Sequence, residues 1–137
     1  IQSCILQVAR ENQAARLGTD QWNSRMLTQQ LSQTQAMEGT EIVEIPQTMA
    51  GLSAAMKTIE RLLRKREMTH QKNPCARWCF GNVRCAVDGN ENIKPMKNKS
   101  IGRIDITVSW IIAMAAALLD GEVVDKKAAI MAEDWSM

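Results

Sequence analysis

The feature that most constrains this chain is a run of twelve residues near its C-terminal end, Val108 to Leu119, in which Ser109 is the one polar side chain. A segment that is apolar on every side has no face for solvent, so we predict a deeply buried helix from about Gly102 to Leu119. The run is too short to cross about 30 Å of hydrocarbon, so no membrane-spanning helix is predicted. The rest of the domain must therefore supply surfaces that cover this helix.

The remaining patterns predict helices alternating with few strands. One helix spans residues 3–13, a second continues through Leu31 to about Gln35, a third is capped by Ser53, and a fourth begins at the Asn73-Pro74 pair. Residues 41–45 alternate apolar and acidic side chains and precede Pro46, which predicts a short strand. We therefore expect a helix-rich α/β domain with too few strands for a complete sheet.

The chain begins at Ile1, inside a predicted amphipathic helix. We therefore expect it to be part of a longer protein whose leading strands precede Ile1. No basic segment followed by an apolar segment and a cleavage site stands at the N-terminus, so no signal peptide is predicted.

Charge is unevenly distributed along the sequence. Between Lys57 and Arg103 there are twelve basic and four acidic residues, whereas the rest of the chain has five basic and eleven acidic residues. A basic central segment favours a polyanion such as nucleic acid as the partner, although a solvated surface of ordinary lysines and arginines would give the same pattern.

Cysteine and histidine are also grouped, since Cys75, Cys79, Cys85 and His70 fall close together in the sequence. The group contains no pair of cysteines separated by two residues, and Cys75 and Cys79 are one helical turn apart, so the spacing favours free thiols over a structural zinc site. A zinc module remains a third alternative for function.

Two acidic residues occupy positions at which a carboxylate could do chemistry. Asp20 lies where a predicted strand ends and a helix begins, and Asp105 lies at the start of the apolar helix after a run of lysines. Burying a carboxylate on an apolar helix is costly unless it is paired or binds a metal ion. The simpler interpretations are a helix N-cap for Asp20 and a favourable first-turn acid for Asp105.

Several ordered motifs resemble the C-terminal nuclease domain of the large terminase subunit of tailed bacteriophages. They are DQWN at 20–23, IPQT at 45–48 with LS at 52–53, NPCARWCFGNV at 73–83, DGNENIKP at 88–95 and KNKSIGRID at 97–105. The resemblance covers about residues 1–119, which we take as a partial nuclease domain followed by an acidic tail at 120–137.

This resemblance implies an RNase H-like nuclease fold, incomplete here because its leading strands are missing. It also implies a divalent-metal-dependent endonuclease that cuts double-stranded concatemeric DNA with two Mg²⁺ or Mn²⁺ ions. Two of the three carboxylates that hold the ions in the family match Asp20 and Asp105, and the third would precede Ile1. With two of three carboxylates, the chain is expected to be a weak nuclease or an inactive one.

The resemblance further implies DNA as a partner, and the basic residues near Asp105 would contact its phosphates. Those near Asp105 are Lys94, Lys97, Lys99 and Arg103, and Arg61, Arg64 and Lys65 would extend the track. In the full-length protein the other partners would be an N-terminal ATPase domain, the small terminase subunit and the portal, in the cytoplasm of a bacterial host and without a membrane.

The sequence departs from the family pattern after Asp105. Ile106 stands where the family has Gly, and Ser109-Trp110 replaces a pair of small or aliphatic residues. The alternative to a nuclease is therefore a non-catalytic DNA-binding or assembly module, or an inactive prophage remnant.

Overall fold

A computed structural model describes residues 1–22 and 24–119, and the predicted acidic tail at 120–137 lies outside the described residues. The helices are α1 (Gln2–Glu11), α2 (Arg25–Ser32), α3 (Met49–Arg64), α4 (Pro74–Asn82) and α5 (Asp105–Ala117), with a single 3-10 turn at Gln35–Met37. The strands are β1 (Arg16–Asp20), β2 (Glu41–Ile45), β3 (Cys85–Val87) and β4 (Ile93–Pro95).

Helix α5 is the centre of the main core, as its apolar sequence predicts. It packs against α3, α4 and β1, and Ile111 and Ala116 are almost completely buried there with Leu52 of α3. The helix begins at Asp105 rather than at Gly102, because Ile104 has an extended φ of −130° and is not helical. Among the helices that the structure describes, none is long and apolar enough to cross a membrane.

The described strands form two small sheets. Strands β1 and β2 are parallel, with Asp20 opposite Ile45, and α2 lies in the crossover that a parallel pair requires. Strands β3 and β4 form an antiparallel hairpin in which Ala86 is opposite Lys94. The predicted strand at 41–45 is confirmed with both of its ends, and β4 lies within a segment predicted to be a loop.

Two helix starts show which local signals were sufficient. Asn73 caps α4 as predicted, because its Oδ1 accepts the backbone N–H groups of Cys75 and Ala76 at 2.9 and 3.2 Å. The prediction that Ser53 caps α3 is wrong, since Thr48 caps that helix and its Oγ1 accepts the N–H of Gly51 at 3.0 Å. Ser53 lies one turn inside α3, where its hydroxyl serves a tertiary contact instead. The second helix also ends earlier than predicted, at Ser32.

Candidate functional site

The two predicted carboxylates lie at one surface cleft, which we call the carboxylate cleft. Its volume is about 570 Å³. Its lining includes Asp20, Gln47, Lys94, Lys97, Asn98 and Val108, together with the apolar side chains of Met49, Leu52, Ala86, Pro95 and Met96. These residues come from the end of β1, the segment after β2, the start of α3, the hairpin and α5, so the cleft forms only when all of these elements are packed.

Asp20 is the last residue of β1, as predicted, and is half-buried. Its Oδ1 accepts the backbone N–H of Trp22 at 3.0 Å, and its carbonyl oxygen accepts the hydroxyl of Ser24. These two contacts hold the strand end in a tight turn, so the carboxylate has a defined position beside the cleft.

Asp105 is the first residue of α5 and is exposed to solvent. The structure therefore avoids the burial cost that a carboxylate on an apolar helix would otherwise incur. A negative charge in the first turn is also favoured by the unpaired N–H groups of the helix. The nearest ion-pair partner is Lys97, whose Nζ lies 3.7 Å from Asp105 Oδ1. Their side chains are 62% and 71% exposed, so the pair contributes little to stability.

Lys97 connects the two carboxylates, because it lines the cleft beside Asp20 and also pairs with Asp105. The elements that carry these acids are in close contact. A methyl group placed on Gly18 of β1 would lie 2.9 Å from Ile112 Cγ2 and 3.0 Å from the Ile112 carbonyl oxygen. Arg16 Nη1 also donates to the Ala116 carbonyl oxygen at 3.2 Å. The strand of Asp20 therefore lies directly against the helix of Asp105.

Four of the predicted DNA-contacting residues lie beside this cleft or between it and α5. Lys94 is half-buried in the cleft lining, Lys97 is exposed there, and Lys99 and Arg103 are exposed in the segment that leads to α5. Their positions put several positive charges next to both carboxylates.

The other three predicted DNA-contacting residues lie away from the cleft, at the C-terminal end of α3. Leu52, which lines the cleft, is near the start of this helix, so at 1.5 Å per residue Arg61 is about 13 Å further along the axis. Arg61 pairs with Glu67 at 3.5 Å and Arg64 pairs with Glu60 at 2.7 Å. Lys65 follows as the exposed C-cap residue. The structure therefore does not bring this group into the cleft.

The donor chemistry of the cleft suits a hard cation in part. Asp20 and Asp105 provide carboxylate oxygens, and Mg²⁺ is commonly held by one or two carboxylates with water and substrate phosphate completing the shell. Within residues 1–22 and 24–119, no group of three or more His, Cys, Asp or Glu side chains could hold a metal ion. The two acids thus fit as a portion of a magnesium or manganese site.

The same result bears on the zinc alternative. Cys79 is buried in α4, Cys75 and Cys85 are exposed on α4 and β3, and the ring of His70 packs against Trp110 with centroids 5.7 Å apart. In the part of the chain that the structure describes, these side chains form no metal-ligating cluster. The structure gives the zinc module no support.

Sequence reasoning assigned no role to two polar residues of the cleft, Gln47 and Asn98. Gln47 follows the end of β2, and the carboxyl ends of neighbouring parallel strands meet at one edge of a sheet. Pairing of the strand ending at Asp20 with the strand ending at Ile45 was therefore the signal that could have found Gln47. Asn98 carries no such signal, because its loop is placed by tertiary packing.

Comparison with known proteins gives three matches to this chain. The family described as terminase large subunit, endonuclease domain, matches residues 1–121. Protein YmfN of Escherichia coli (strain K12) is 34% identical over 91 residues, which are 65% of this chain and 20% of that protein. The crystal structure of the HK97 bacteriophage large terminase matches with a TM-score of 0.73 and 23% identity, over 85% of this chain and 24% of that one.

The structural match confirms the predicted fold class, a helix-rich, RNase H-like α/β domain with an incomplete sheet. The chain spans about a fifth of the length of YmfN and about a quarter of the HK97 protein.

Proposed function

This chain belongs to the endonuclease-domain family of terminase large subunits, and from that premise we propose that its carboxylate cleft is part of a metal-dependent nuclease centre. The substrate proposed is double-stranded, concatemeric phage DNA. The observation that carries the proposal is the position of Lys97, which lies in the cleft with Asp20 and 3.7 Å from Asp105. Two residues far apart in sequence thus present carboxylates at one basic cleft.

Asp20 and Asp105 are the residues proposed to hold the metal ions. When bound, a pair of divalent ions about 3.5–4 Å apart activates the attacking water and stabilises the leaving oxygen of a phosphodiester. The Trp22 N–H keeps the Asp20 carboxylate oriented. Lys97 neutralises Asp105 while no cation is present, and it becomes available to a DNA phosphate once a cation takes that carboxylate.

The basic residues around the cleft supply sequence-independent binding of the DNA backbone. Lys94, Lys97, Lys99 and Arg103 are proposed to contact phosphates next to the site, whereas Arg61, Arg64 and Lys65 would contact DNA only if it continued along α3. The proposed unit comprises residues 1–119. In a full-length terminase, we propose an ATPase domain, the small subunit and the portal as partners, in the host cytoplasm.

The direct test is binding of Mn²⁺ followed by nuclear magnetic resonance on the ¹⁵N-labelled chain. A bound paramagnetic ion broadens nearby signals, so we expect substoichiometric Mn²⁺ to remove the amide signals of Trp22 and Ile106 first. Asp20→Asn and Asp105→Asn should each greatly reduce this selective broadening. Glu38→Gln changes an exposed acid outside the cleft and serves as the matched control, which should behave as the unmodified chain. Broadening that survives both Asp→Asn changes would contradict the proposal.

The chain itself is expected to cut DNA poorly. Magnesium holds its waters tightly and needs well-placed anionic ligands, and the described residues bring only a pair of carboxylates to the cleft. In a plasmid-nicking assay with Mn²⁺, we expect slow nicking that falls to background in Asp20→Ala and Asp105→Ala. Brisk cutting by this chain, abolished by Asp105→Ala, would show that a third carboxylate is not required.

A non-catalytic DNA clamp is the second candidate, and the ion pair of Lys97 with Asp105 favours it. In a clamp that pair simply positions the lysine. Asp20→Asn and Asp105→Asn would then leave both metal response and DNA affinity nearly unchanged, whereas a nuclease centre should lose its metal response.

A further inference from the structure

A second cavity, which we call the apolar cavity, lies between α3, α4, the β3–β4 hairpin and α5. It has a volume of about 370 Å³, and its walls include Ile59, Phe80, Trp110 and Ile111. The rings of Phe80 and Trp110 are 6.4 Å apart between centroids. Ligand pockets of proteins begin at about 300 Å³ and are mostly apolar with a few polar groups, so this cavity suits a molecule with a single ring.

One polar group in the cavity lining lacks a partner. Thr107 is 4% exposed, and its Oγ1 is the one buried side-chain oxygen or nitrogen without a hydrogen bond among the described residues. A helical threonine commonly bonds the carbonyl oxygen four residues earlier, but here the Arg103 carbonyl accepts Asn82 Nδ2 at 3.3 Å. Buried hydroxyls without partners are rare in folded proteins and call for an explanation.

The charges around the cavity favour a neutral occupant. Glu60 at the cavity is already paired with Arg64 at 2.7 Å. Burial, with the nearby Glu60 charge as the smaller cause, raises the pKa of the Cys85 thiol, so the thiol stays protonated at neutral pH. An ionised ligand would therefore lose its hydration without gaining an opposite charge.

We propose that the apolar cavity binds a small neutral molecule with a flat apolar body and one hydrogen-bond acceptor, which takes the hydroxyl proton of Thr107. This inference is independent of the proposed nuclease function, because it needs neither DNA nor a metal ion. Shape and apolar contact come from the aromatic walls, and orientation comes from the single hydroxyl.

The test uses 4-fluoroacetophenone as the probe and 4-fluorotoluene as a matched probe without the acceptor. Binding is followed by ¹⁹F resonance broadening and displacement titration. We expect 4-fluoroacetophenone to bind the chain, and Thr107→Val to weaken it about five- to tenfold because one hydrogen bond is removed. The same substitution should leave the affinity for 4-fluorotoluene unchanged.

A second pair of variants locates the site. Cys85 lines the cavity at an exposed position of β3, whereas Cys75 is exposed on α4 and does not line it. Cys85→Trp should block the probe, and Cys75→Trp should not. Equal affinities for both probes in the unmodified chain and in Thr107→Val, or no binding of either probe, would overturn the proposal and leave the cavity to water.

Discussion

The carboxylate cleft and the apolar cavity lie on two sides of the same pair of elements, β4 and α5. On β4, Lys94 lines the cleft and the preceding Ile93 lines the cavity, while on α5 Val108 lines the cleft and Thr107 the cavity. The charged groups of the cleft are exposed, so they can exchange partners cheaply. The single unpaired hydroxyl of the cavity is fully buried, so its state affects stability. One dividing layer thus separates a surface built for charge from an interior built for shape.

The largest expected effect on this comparison concerns DNA affinity at the cleft. The double change Lys97→Gln and Lys99→Gln should weaken binding of any DNA sequence by roughly tenfold or more at low salt. It should also reduce the slope of log K against log salt by about 0.9 for each phosphate that the protein no longer neutralises. Fluorescence anisotropy at several salt concentrations measures both quantities. Arg61→Gln with Arg64→Gln is the charge-matched comparison, and an equal weakening there would show that the basic track continues along α3.

The next effect concerns the attachment of the dividing layer to α3. Ser53 is 4% exposed, and its Oγ accepts the backbone N–H of Ile93 at 3.1 Å. Ser53→Ala leaves that N–H without a partner in the interior, which should lower the free energy of unfolding by about 1–3 kcal/mol.

Chemical denaturation measures this decrease in stability. Ser109→Ala removes an exposed hydroxyl that donates to the Asp105 carbonyl oxygen, so this control should change stability much less. Equal decreases in the two variants would mean that the Ser53 hydroxyl does not hold the hairpin.

A smaller and opposite effect is expected inside the cavity. Thr107→Val removes the unpaired hydroxyl and keeps the shape of the side chain, so it should raise the free energy of unfolding by about 1 kcal/mol. Thermal unfolding of this variant and of Thr28→Val, which removes a hydroxyl bonded to the Arg25 carbonyl oxygen, gives the comparison. A decrease in stability for Thr107→Val would mean that the hydroxyl has a partner in solution.

The smallest effect is a pH dependence of the turn that joins β3 to β4. Asp88 accepts hydrogen bonds from the Asn92 side chain at 3.0 Å and from the backbone N–H groups of Asn92 and Asn90 at 2.9 Å each. These bonds, with the Asn92 side chain first, hold the pKa of Asp88 below its usual value of 3.8.

Since the folded pKa is the lower one, the stabilisation is present above about pH 4. It is lost as the pH falls through the folded value. Carboxyl chemical shifts recorded against pH should give a midpoint below 3.8 for Asp88. A midpoint at or above that value would mean that the turn does not retain these bonds in solution.

Features that depend on neighbouring residues could be predicted from the sequence, and features that depend on distant ones could not. The Asn73-Pro74 start of α4 and the strand at 41–45 carry their signals within a few residues. Ser53 was misread because a serine before an apolar helical pattern resembles a cap, whereas its partner Ile93 is 40 residues away. The motif resemblance found Asp20 and Asp105, but neither motif nor pattern could indicate that Lys97 joins them.

The contact between β1 and α5 also has a consequence in time. Arg16 and Ala116 are joined by a hydrogen bond although they lie 100 residues apart, so β1 leaves the ribosome long before the helix that covers it. At about 5–20 residues per second, the interval is on the order of 5–20 s. During synthesis Asp20 therefore has no partner helix, and the cleft closes only when nearly all of the described chain exists. A nuclease centre assembled in this order cannot act on host DNA while it is still being made.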